Sequence, residues 1–305
     1  MTFDVVIIGG GPAGLSAALT LGRARRRVLL LDSDDGRNAR AAAVHGFLTR
    51  DGVSPAELRD LARKELAEYP TVEIREAVAT GVSGTEGAFA VAADQHETAR
   101  CVVLATGVRD DLPDIEGLTE LWGRGVFHCP YCHGYEVRDE RLVVLAVEPG
   151  DVSMVAKLAC YSDDIVVCTN GTVELDPDRC ALLDRLGVAI RREPILRLET
   201  SDDRLHRIVL ADGEPVPASA LFVHGTTRQA SELPAALGCR LLDDGSIEVD
   251  DLHRTSVPGV YAAGDIARRP SMPLPGSMVS IAVATGAIAA VAVDQELLRA
   301  DLSSR

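Results

Sequence analysis

The sequence predicts an α/β fold of two nested domains, the second inserted in the first, and three observations predict it. The 305 residues exceed the length at which a single hydrophobic core comfortably grows, so two domains are expected. A strand, a glycine turn and a helix open the chain, and another strand runs into a turn at 142–151. Two short apolar strands that end in small residues, at 101–107 and 259–265, flank the middle of the chain.

The opening segment has the pattern of a Rossmann-like dinucleotide-binding unit. A strand leads into the turn Gly9-Gly10-Gly11-Pro12-Ala13-Gly14, which begins a helix. Gly9 permits the tight turn, Gly11 lets the backbone approach a pyrophosphate at the helix N-terminus, and Gly14 lets helix and strand pack. Asp32 ends the next strand, 18 residues after the last glycine, and can accept a hydrogen bond from a ribose hydroxyl.

Two later segments belong with this first domain. The strand at 101–107 ends in Ala105-Thr106-Gly107, and the strand at 259–265 ends in Gly264-Asp265. Both resemble signatures of flavoproteins with two dinucleotide domains, in which the Gly-Asp acid contacts the ribityl and pyrophosphate region of FAD. A helix beginning near Ser277 is expected to aim its N-terminal amides at the flavin. The predicted cofactor is therefore FAD and not NAD.

The residues expected to bind FAD come from these turns, from the start of the last helix and from the loops after the second strand, where relatives contact adenosine and isoalloxazine. They are Gly9, Gly11, Pro12, Ala13, Gly14, Asp32, Arg37, Asn38, His45, Ala105, Thr106, Gly107, Gly264, Asp265, Met278 and Val279.

The insertion points follow from two polar turns. Residues 110–117 form a proline-containing exit, and the chain returns through 241–245. The predicted first domain therefore comprises residues 1–113 and 242–305. The central domain comprises residues 114–241, a length compatible with its own core. Both are expected to be Rossmann-like dinucleotide-binding domains.

Composition excludes several classes of function. The formal charge of −15 and the pI near 4.9 argue against a nucleic-acid partner, because such binding needs a clustered basic surface. No secretory signal pattern begins the chain, so a cytoplasmic location is expected. The apolar stretch 277–293 falls short of a membrane span and predicts a buried helix, with no membrane partner. The seven cysteines lack zinc-ligand spacing, so no metal site is expected.

The order of these features resembles the low-molecular-weight thioredoxin reductase family over essentially the full length. The glycine cradle, the Ala-Thr-Gly turn, a Cys-x-x-Cys motif at Cys129 and Cys132 inside the central domain, and the Gly-Asp turn occur in the family's order. The resemblance implies a homodimeric, flavin-dependent thiol/disulfide oxidoreductase.

The chain departs from that family where NADPH would bind. The family's second glycine cradle is replaced by Ala146-Val147-Glu148-Pro149-Gly150-Asp151, so side chains stand where amides should meet a pyrophosphate, and Glu148 and Asp151 would repel it. The strand ending at Cys168 is followed by no arginine to hold a 2′-phosphate. The sequence therefore predicts that NADPH binding is lost.

A second departure is at the redox motif. His133 stands where the family has an aspartate, and His224 precedes a glycine where relatives have an aliphatic residue. Cys-Pro-Tyr-Cys-His-Gly-Tyr-Glu, with Arg37-Asn38 and His45-Gly46, resembles the FAD-dependent dithiol oxidases that close the disulfides of gliotoxin, holomycin and romidepsin.

That resemblance implies a chemistry for the site. Pro130 can begin a helix, which places Cys129 and Cys132 one turn apart at a helix N-terminus and favours a thiolate. By resemblance, Cys132 faces the flavin and Cys129 exchanges with substrate. Each exchange step needs a base that titrates near pH 7, for which His133 is the first candidate and His224 the second.

The predicted function is oxidation of a small-molecule dithiol, with electrons passing from the cysteines to FAD and then to molecular oxygen, which leaves as hydrogen peroxide. One alternative is a thioredoxin reductase that uses NADPH or ferredoxin to reduce a protein disulfide. A non-enzymatic redox sensor is a third interpretation, and the intact Cys-x-x-Cys argues against it.

Overall fold

The structure is a computed structural model that describes residues 2–273 and 276–303. Its strands are β1 (Phe3–Ile8), β2 (Val28–Asp32), β3 (Val72–Glu76), β4 (Gly81–Thr85), β5 (Ala88–Ala92), β6 (His96–Leu104), β7 (Val108–Asp111), β8 (Val126–Phe127), β9 (Leu142–Leu145), β10 (Ile165–Cys168), β11 (Ala189–Arg191), β12 (Ile195–Ser201), β13 (Arg204–Leu210), β14 (Val216–Pro217), β15 (Ala220–Val223), β16 (Thr226–Gln229), β17 (Ile247–Glu248), β18 (Val260–Ala262) and β19 (Ala267–Arg268). Its helices are α1 (Pro12–Arg23), α2 (Pro55–Leu66), α3 (Leu118–Leu121), α4 (Pro130–His133), α5 (Ser153–Leu158), α6 (Pro177–Arg185), α7 (Leu233–Ala236) and α8 (Val279–Ser303), with a 3₁₀ turn at Pro149–Val152.

The first sheet confirms the predicted α/β fold. Its strands lie in the order β3-β2-β1-β6-β5-β4, and β18 pairs with the end of β6. Strands β3, β2, β1, β6 and β18 run parallel, whereas β4 and β5 form an antiparallel extension. Every residue of β2 is buried, as expected for a continuous apolar strand covered on both faces of a parallel sheet.

Helix α8 packs against α1 on one face of this sheet. A side chain at Gly286 would overlap the carbonyl oxygen of Ala13, so glycine is required where the two helices touch. Among the described residues, α8 alone is long and apolar enough to cross a membrane by length and composition, a test that core helices also pass. It extends ten residues beyond the predicted stretch, because Arg26 pairs with Asp294 and Asp301 and holds its last turns.

The second sheet is wholly parallel, in the order β11-β10-β9-β15-β8. A separate antiparallel sheet, β12-β13-β14, packs its buried side chains with one face of this sheet in a common core. The short strands β9 and β15 are completely buried, and Val223 lies in register with Leu145. The residues that follow these two strands therefore emerge side by side at the same sheet edge.

The chain divides into two compact units whose limits differ from the predicted boundaries. One unit comprises residues 1–39, 47–109 and 228–305, and the other comprises 40–46 and 110–227. Residues 228–241 join the first unit because the Gln229 amide donates to the carbonyl oxygens of Gly245 and Ile266, while Leu233 and Cys239 are buried in its core. Residues 40–46 join the second unit, which no local sequence pattern indicates.

Candidate active site

The glycine cradle of the first unit has the shape that a dinucleotide requires. Gly9 has a φ of +112°, and a side chain there would overlap the carbonyl oxygen of Ala105. A side chain at Gly14 would overlap the carbonyl oxygen of Gly9. Gly11 faces open space, and no side chain caps the N-terminus of α1. The backbone amides of that first turn are thus left for an anionic ligand.

A buried hydroxyl beside the cradle also fits a bound cofactor. Thr106 Oγ1 is buried and has no hydrogen-bond partner among the described residues. Gly107, with a φ of +72°, has open space where a side chain would stand. A buried hydroxyl without a partner costs about 1–3 kcal/mol, so a ligand that hydrogen-bonds to it would stabilise the site. Both residues were predicted to bind FAD.

The two acids predicted to bind FAD are engaged with arginines. Asp32 Oδ2 lies 3.0 Å from Arg59 and 2.7 Å from Arg63. Burial opposes ionisation of Asp32, but the hydrogen bond from Arg63 holds its pKa below the ordinary value. Asp265 Oδ2 accepts a hydrogen bond from Arg37 at 2.8 Å. The arginines of α2 were not predicted as partners of Asp32, although their spacing of four residues on one helix face was a usable signal.

The remaining predicted cofactor residues, apart from His45 of the second unit, lie in the first unit, most of them at the ends of elements. Met278 immediately precedes α8, and its carbonyl accepts the amide of Ala282. Val279 is the first residue of that helix. The amide of Gly264 donates to the Thr285 hydroxyl of α8. The rest of the group lies on α1 (Pro12 and Ala13), before Thr106 (Ala105) and in the loop after β2 (Asn38).

The redox motif lies in the second unit, and its cysteines form a disulfide. The Cα atoms of Cys129 and Cys132 are 5.3 Å apart. Helix α4 begins at Pro130, as predicted, and comprises a single turn. The amides of Cys132 and His133 both donate to the carbonyl of Cys129, which holds the two sulfur-bearing residues on one turn.

His133 is a partly buried imidazole whose two ring nitrogens are shielded from solvent. Its ring stacks on Phe127 with centroids 4.4 Å apart, and among the described residues neither ring nitrogen has a hydrogen-bond partner. Burial, and to a lesser extent the charge of His45, lowers the pKa of His133 to about 4. The prediction that this histidine titrates near pH 7 is therefore wrong for the disulfide form, because the sequence does not show how deeply the ring is buried.

His45 lies beside His133, although it was predicted only as an FAD-binding residue. The ring centroids are 6.5 Å apart and the rings are nearly perpendicular. His45 Nδ1 is 3.6 Å from Oε1 of Glu136. No role was predicted for Glu136, yet it is the last residue of the Cys-Pro-Tyr-Cys-His-Gly-Tyr-Glu motif.

The turn after β9 is closed by its own carboxylate. Asp151 is buried, and its Oδ2 accepts the backbone amides of Val147 at 2.8 Å and Glu148 at 3.0 Å. The Glu148 side chain in turn accepts the Asp151 amide, which completes a capping box. Asp151 therefore satisfies the amides of this turn from within, a role that differs from the simple repulsion predicted for it.

His224, the second predicted base, lies at this turn. Its Nδ1 is 3.6 Å from Oδ1 of Asp151, and that carboxylate raises the pKa of His224 above its ordinary value. The position follows from the sheet, because β15 and β9 end in register and His224 directly follows β15. The structure thus assigns His133 and His224 to different surroundings.

Exposed aromatic side chains surround the redox helix. The side chains of Tyr131 and Tyr135 are 67% and 63% exposed. The Lys157 ammonium lies 4.4 Å from the ring centre of Tyr131 and 5.5 Å from that of Tyr161. These contacts hold a cation between two aromatic faces. Three of the chain's five tyrosines are therefore in or near this helix.

The other five cysteines are free thiols. Burial raises the pKa of both Cys101 and Cys168 to about 12, so these two thiols stay protonated and unreactive. Within 2–273 and 276–303, no group of three or more His, Cys, Asp or Glu side chains is arranged to hold a metal ion.

Known proteins are similar to this chain along nearly its whole length. A family model described as pyridine nucleotide-disulphide oxidoreductase matches residues 3–161 and 179–290. The thioredoxin reductase sirT of Leptosphaeria maculans is 34% identical over 322 residues, covering 99% of this chain and 97% of that protein.

Two solved structures share both sequence and fold with it. An oxidoreductase from Agrobacterium tumefaciens is 39% identical with a TM-score of 0.91, covering 98% of this chain and 99% of the other. HlmI is 40% identical with a TM-score of 0.92, covering 99% of this chain and 95% of the other. These similarities confirm the predicted resemblance, the two-domain fold and FAD as the cofactor. The chain belongs to the pyridine nucleotide-disulphide oxidoreductase family, as a thioredoxin reductase-like flavoenzyme of disulfide and dithiol chemistry.

Proposed function

We propose that this protein is an FAD-dependent oxidase that forms a disulfide in a small-molecule dithiol, with molecular oxygen as the electron acceptor. The main support for the proposal is that the Asp151 carboxylate accepts hydrogen bonds from the backbone amides of Val147 and Glu148. Those amides follow the strand at which a second dinucleotide would place its pyrophosphate. Since the turn already holds a buried negative charge, a pyrophosphate there would meet both occupied donors and electrostatic repulsion.

Without a nicotinamide, the reducing electrons must come from a thiol substrate. A substrate thiolate attacks the Sγ of Cys129, the Cys129–Cys132 bond breaks, and the Cys132 thiolate leaves. The second substrate thiolate then attacks the mixed disulfide, which forms the product disulfide and releases Cys129. The substrate loses two electrons and two protons, and the two cysteines gain the electrons. A bound FAD, held at the glycine cradle of Gly9 to Gly14, would supply the two-electron acceptor for the reduced cysteines, and transfer of that electron pair and two protons to dioxygen would give hydrogen peroxide.

His133 is the base that we propose for the exchange. In the disulfide form it is a neutral imidazole, because of the burial that lowers its pKa to about 4, so a lone pair is available at neutral pH. When the disulfide opens, a thiolate forms on the adjacent residue Cys132, and a nearby negative charge favours the protonated ring. We propose His224 as the structural partner of Asp151, since its ion pair binds it to the closed turn.

Small-molecule specificity is supported by the aromatic surroundings of the motif. Tyr131 lies between the two cysteines in sequence and exposes most of its ring. Flat aromatic faces with a cation beside them suit a small substrate with a planar, polar ring.

Two further features support finer parts of the proposal. Helix α8 exposes the apolar side chains of Ile288, Val291, Leu298 and Leu302, which supports assembly as a homodimer through this face. Five free cysteines beside one redox disulfide support a reducing compartment, the cytoplasm.

A second candidate, a thioredoxin reductase, is favoured by the names of several relatives, including sirT. The two functions differ in the reductant. The test is an anaerobic titration of the oxidised holoenzyme with stoichiometric NADPH and, separately, with a cyclisable small dithiol, followed by flavin absorbance. We expect bleaching only with the dithiol, and rapid bleaching by NADPH would refute the oxidase.

Oxygen consumption with reduced thioredoxin and with the small dithiol, at equal thiol concentration, then tests the identity of the substrate. A clearly faster reaction with thioredoxin would refute the small-molecule assignment.

A further inference from the structure

A proton accepted by the shielded ring of His133 has no direct route to solvent. Both nitrogens are shielded from solvent, and the ring is stacked on Phe127. A base that turns over repeatedly must also pass on each proton that it accepts. The structure places one further imidazole and one carboxylate in a row leading away from His133.

We propose that His45 and Glu136 are positioning residues that carry the proton of His133 to solvent during dithiol exchange. This inference rests on the proposed function for its substrate and concerns only residues of the second unit. The exchange of a dithiol for the enzyme disulfide releases two protons from the substrate. Cys129 retains one as a thiol, while Cys132 stays a thiolate, so the other proton must leave through a base.

The geometry suits a relay of two short steps. The ring centroids of His133 and His45 are 6.5 Å apart and the ring planes meet at 84°, a separation that a single bridging water molecule could span. His45 Nδ1 lies 3.6 Å from the Glu136 carboxylate. Exposure increases outward, from the buried nitrogens of His133 to the side chains of His45 at 20% and Glu136 at 37%. The row therefore begins in an apolar pocket and ends in water.

The Glu136 carboxylate provides a negative charge beside His45. A positive charge on either His133 or His45 disfavours a second positive charge on the other ring. The Glu136 carboxylate faces His45, so a proton arriving at His45 meets a negative charge. Phe127, on the other side of His133, is apolar and offers no competing partner.

The loop that carries His45 makes several contacts with the rest of the second unit. Arg40 donates to the carbonyl oxygen of Thr119 at 2.7 Å, and Val44 is buried. Gly123, with a φ of +79°, lies against Ala41, where a side chain would come within 3.1 Å of the Ala41 amide nitrogen. These contacts hold the loop in place, as a relay residue requires.

The experiment follows a single turnover of the oxidised holoenzyme with excess dithiothreitol under anaerobic conditions, measured as loss of the disulfide. The variants are His45→Gln and Glu136→Gln, and Glu140→Gln is the matched control because its exposed side chain lies just beyond the motif. We expect His45→Gln to lower the exchange rate about tenfold at pH 7 and Glu136→Gln about threefold, with no change for Glu140→Gln. Added imidazole should restore most of the rate of His45→Gln.

Two results would overturn the relay. One is an unchanged rate in both variants. The other is a loss that imidazole does not rescue, because a merely structural role would not respond to a free base. The single turnover needs neither oxygen nor NADPH, so it distinguishes the relay from the proposed function. A wild-type enzyme that exchanges with dithiothreitol but consumes no oxygen would refute the oxidase and leave the relay standing.

Discussion

Acidification should destabilise the disulfide form of this enzyme through His133. In the folded protein this ring stays neutral until the pH approaches its pKa of about 4, whereas an unfolded histidine takes up a proton near 6.5. Between these values the unfolded state binds more protons, so stability falls as the pH falls. The contribution of His133 is fully present above pH 6.5 and is lost as the pH falls through 4.

The magnitude follows from the two pKa values. Each factor of ten in proton affinity corresponds to about 1.4 kcal/mol, so the whole effect is about 3 kcal/mol. About 2.5 kcal/mol of this should be lost by pH 4.5. The variant His133→Phe keeps a flat ring on Phe127 but cannot titrate.

The assay is urea unfolding of the oxidised holoenzyme between pH 7.5 and 4.5. Other groups also titrate in this range, among them His253, whose pKa is lowered by burial, and His224, whose pKa is raised by Asp151. They remain in both proteins, so the difference between wild type and His133→Phe isolates the buried ring. Equal pH dependence in the two proteins would refute the account of His133 as a neutral, buried base.

Three further results are expected. Asp151→Ala should lower the free energy of unfolding by about 2–4 kcal/mol, because two amides lose a charged acceptor, and thermal or urea unfolding against an Asp178→Ala control tests this. Cys132→Ser, incubated with the disulfide form of a small thiol, should form a mixed disulfide at Cys129 and release one thiol, as detected by mass spectrometry, whereas faster formation in Cys129→Ser would reverse the assigned roles. Gly286→Val should lower the free energy of unfolding by more than about 3 kcal/mol and reduce the flavin content, because the valine side chain would overlap α1. Wild-type stability and flavin absorbance in this variant would contradict the described packing of α8 on α1.

Local patterns explain why the fold was predictable. The strand, the glycine turn and the helix at the N-terminus are neighbours in sequence, so the spacing of Gly9, Gly11 and Gly14 predicts their geometry directly. The single-turn helix starting at Pro130 is a similar case, because proline at a first helical position is a local signal.

The surroundings of the redox motif depend on contacts between distant segments. His45 precedes His133 by 88 residues in sequence, and their approach depends on a loop that joins the second unit. The burial that lowers the pKa of His133 likewise comes from Phe127 and its neighbours in the folded core. The role of Asp151 was readable, since an acid at both ends of the segment Glu148 to Asp151 is a capping pattern.

The closed turn after β9 has a consequence for the history of such a protein. A turn whose backbone amides had no internal acceptor would need only one or two substitutions to bind a nucleotide again. By the resemblance to the reductases, Ala146 and Glu148 stand where that family has glycines, and the Asp151 carboxylate accepts the amides that a nucleotide would contact. Removing Asp151 alone costs stability and restores no ligand, so each single step back towards nicotinamide use is unfavourable. On the proposed function, the internal carboxylate therefore makes a return to nicotinamide use depend on several changes in this turn at once.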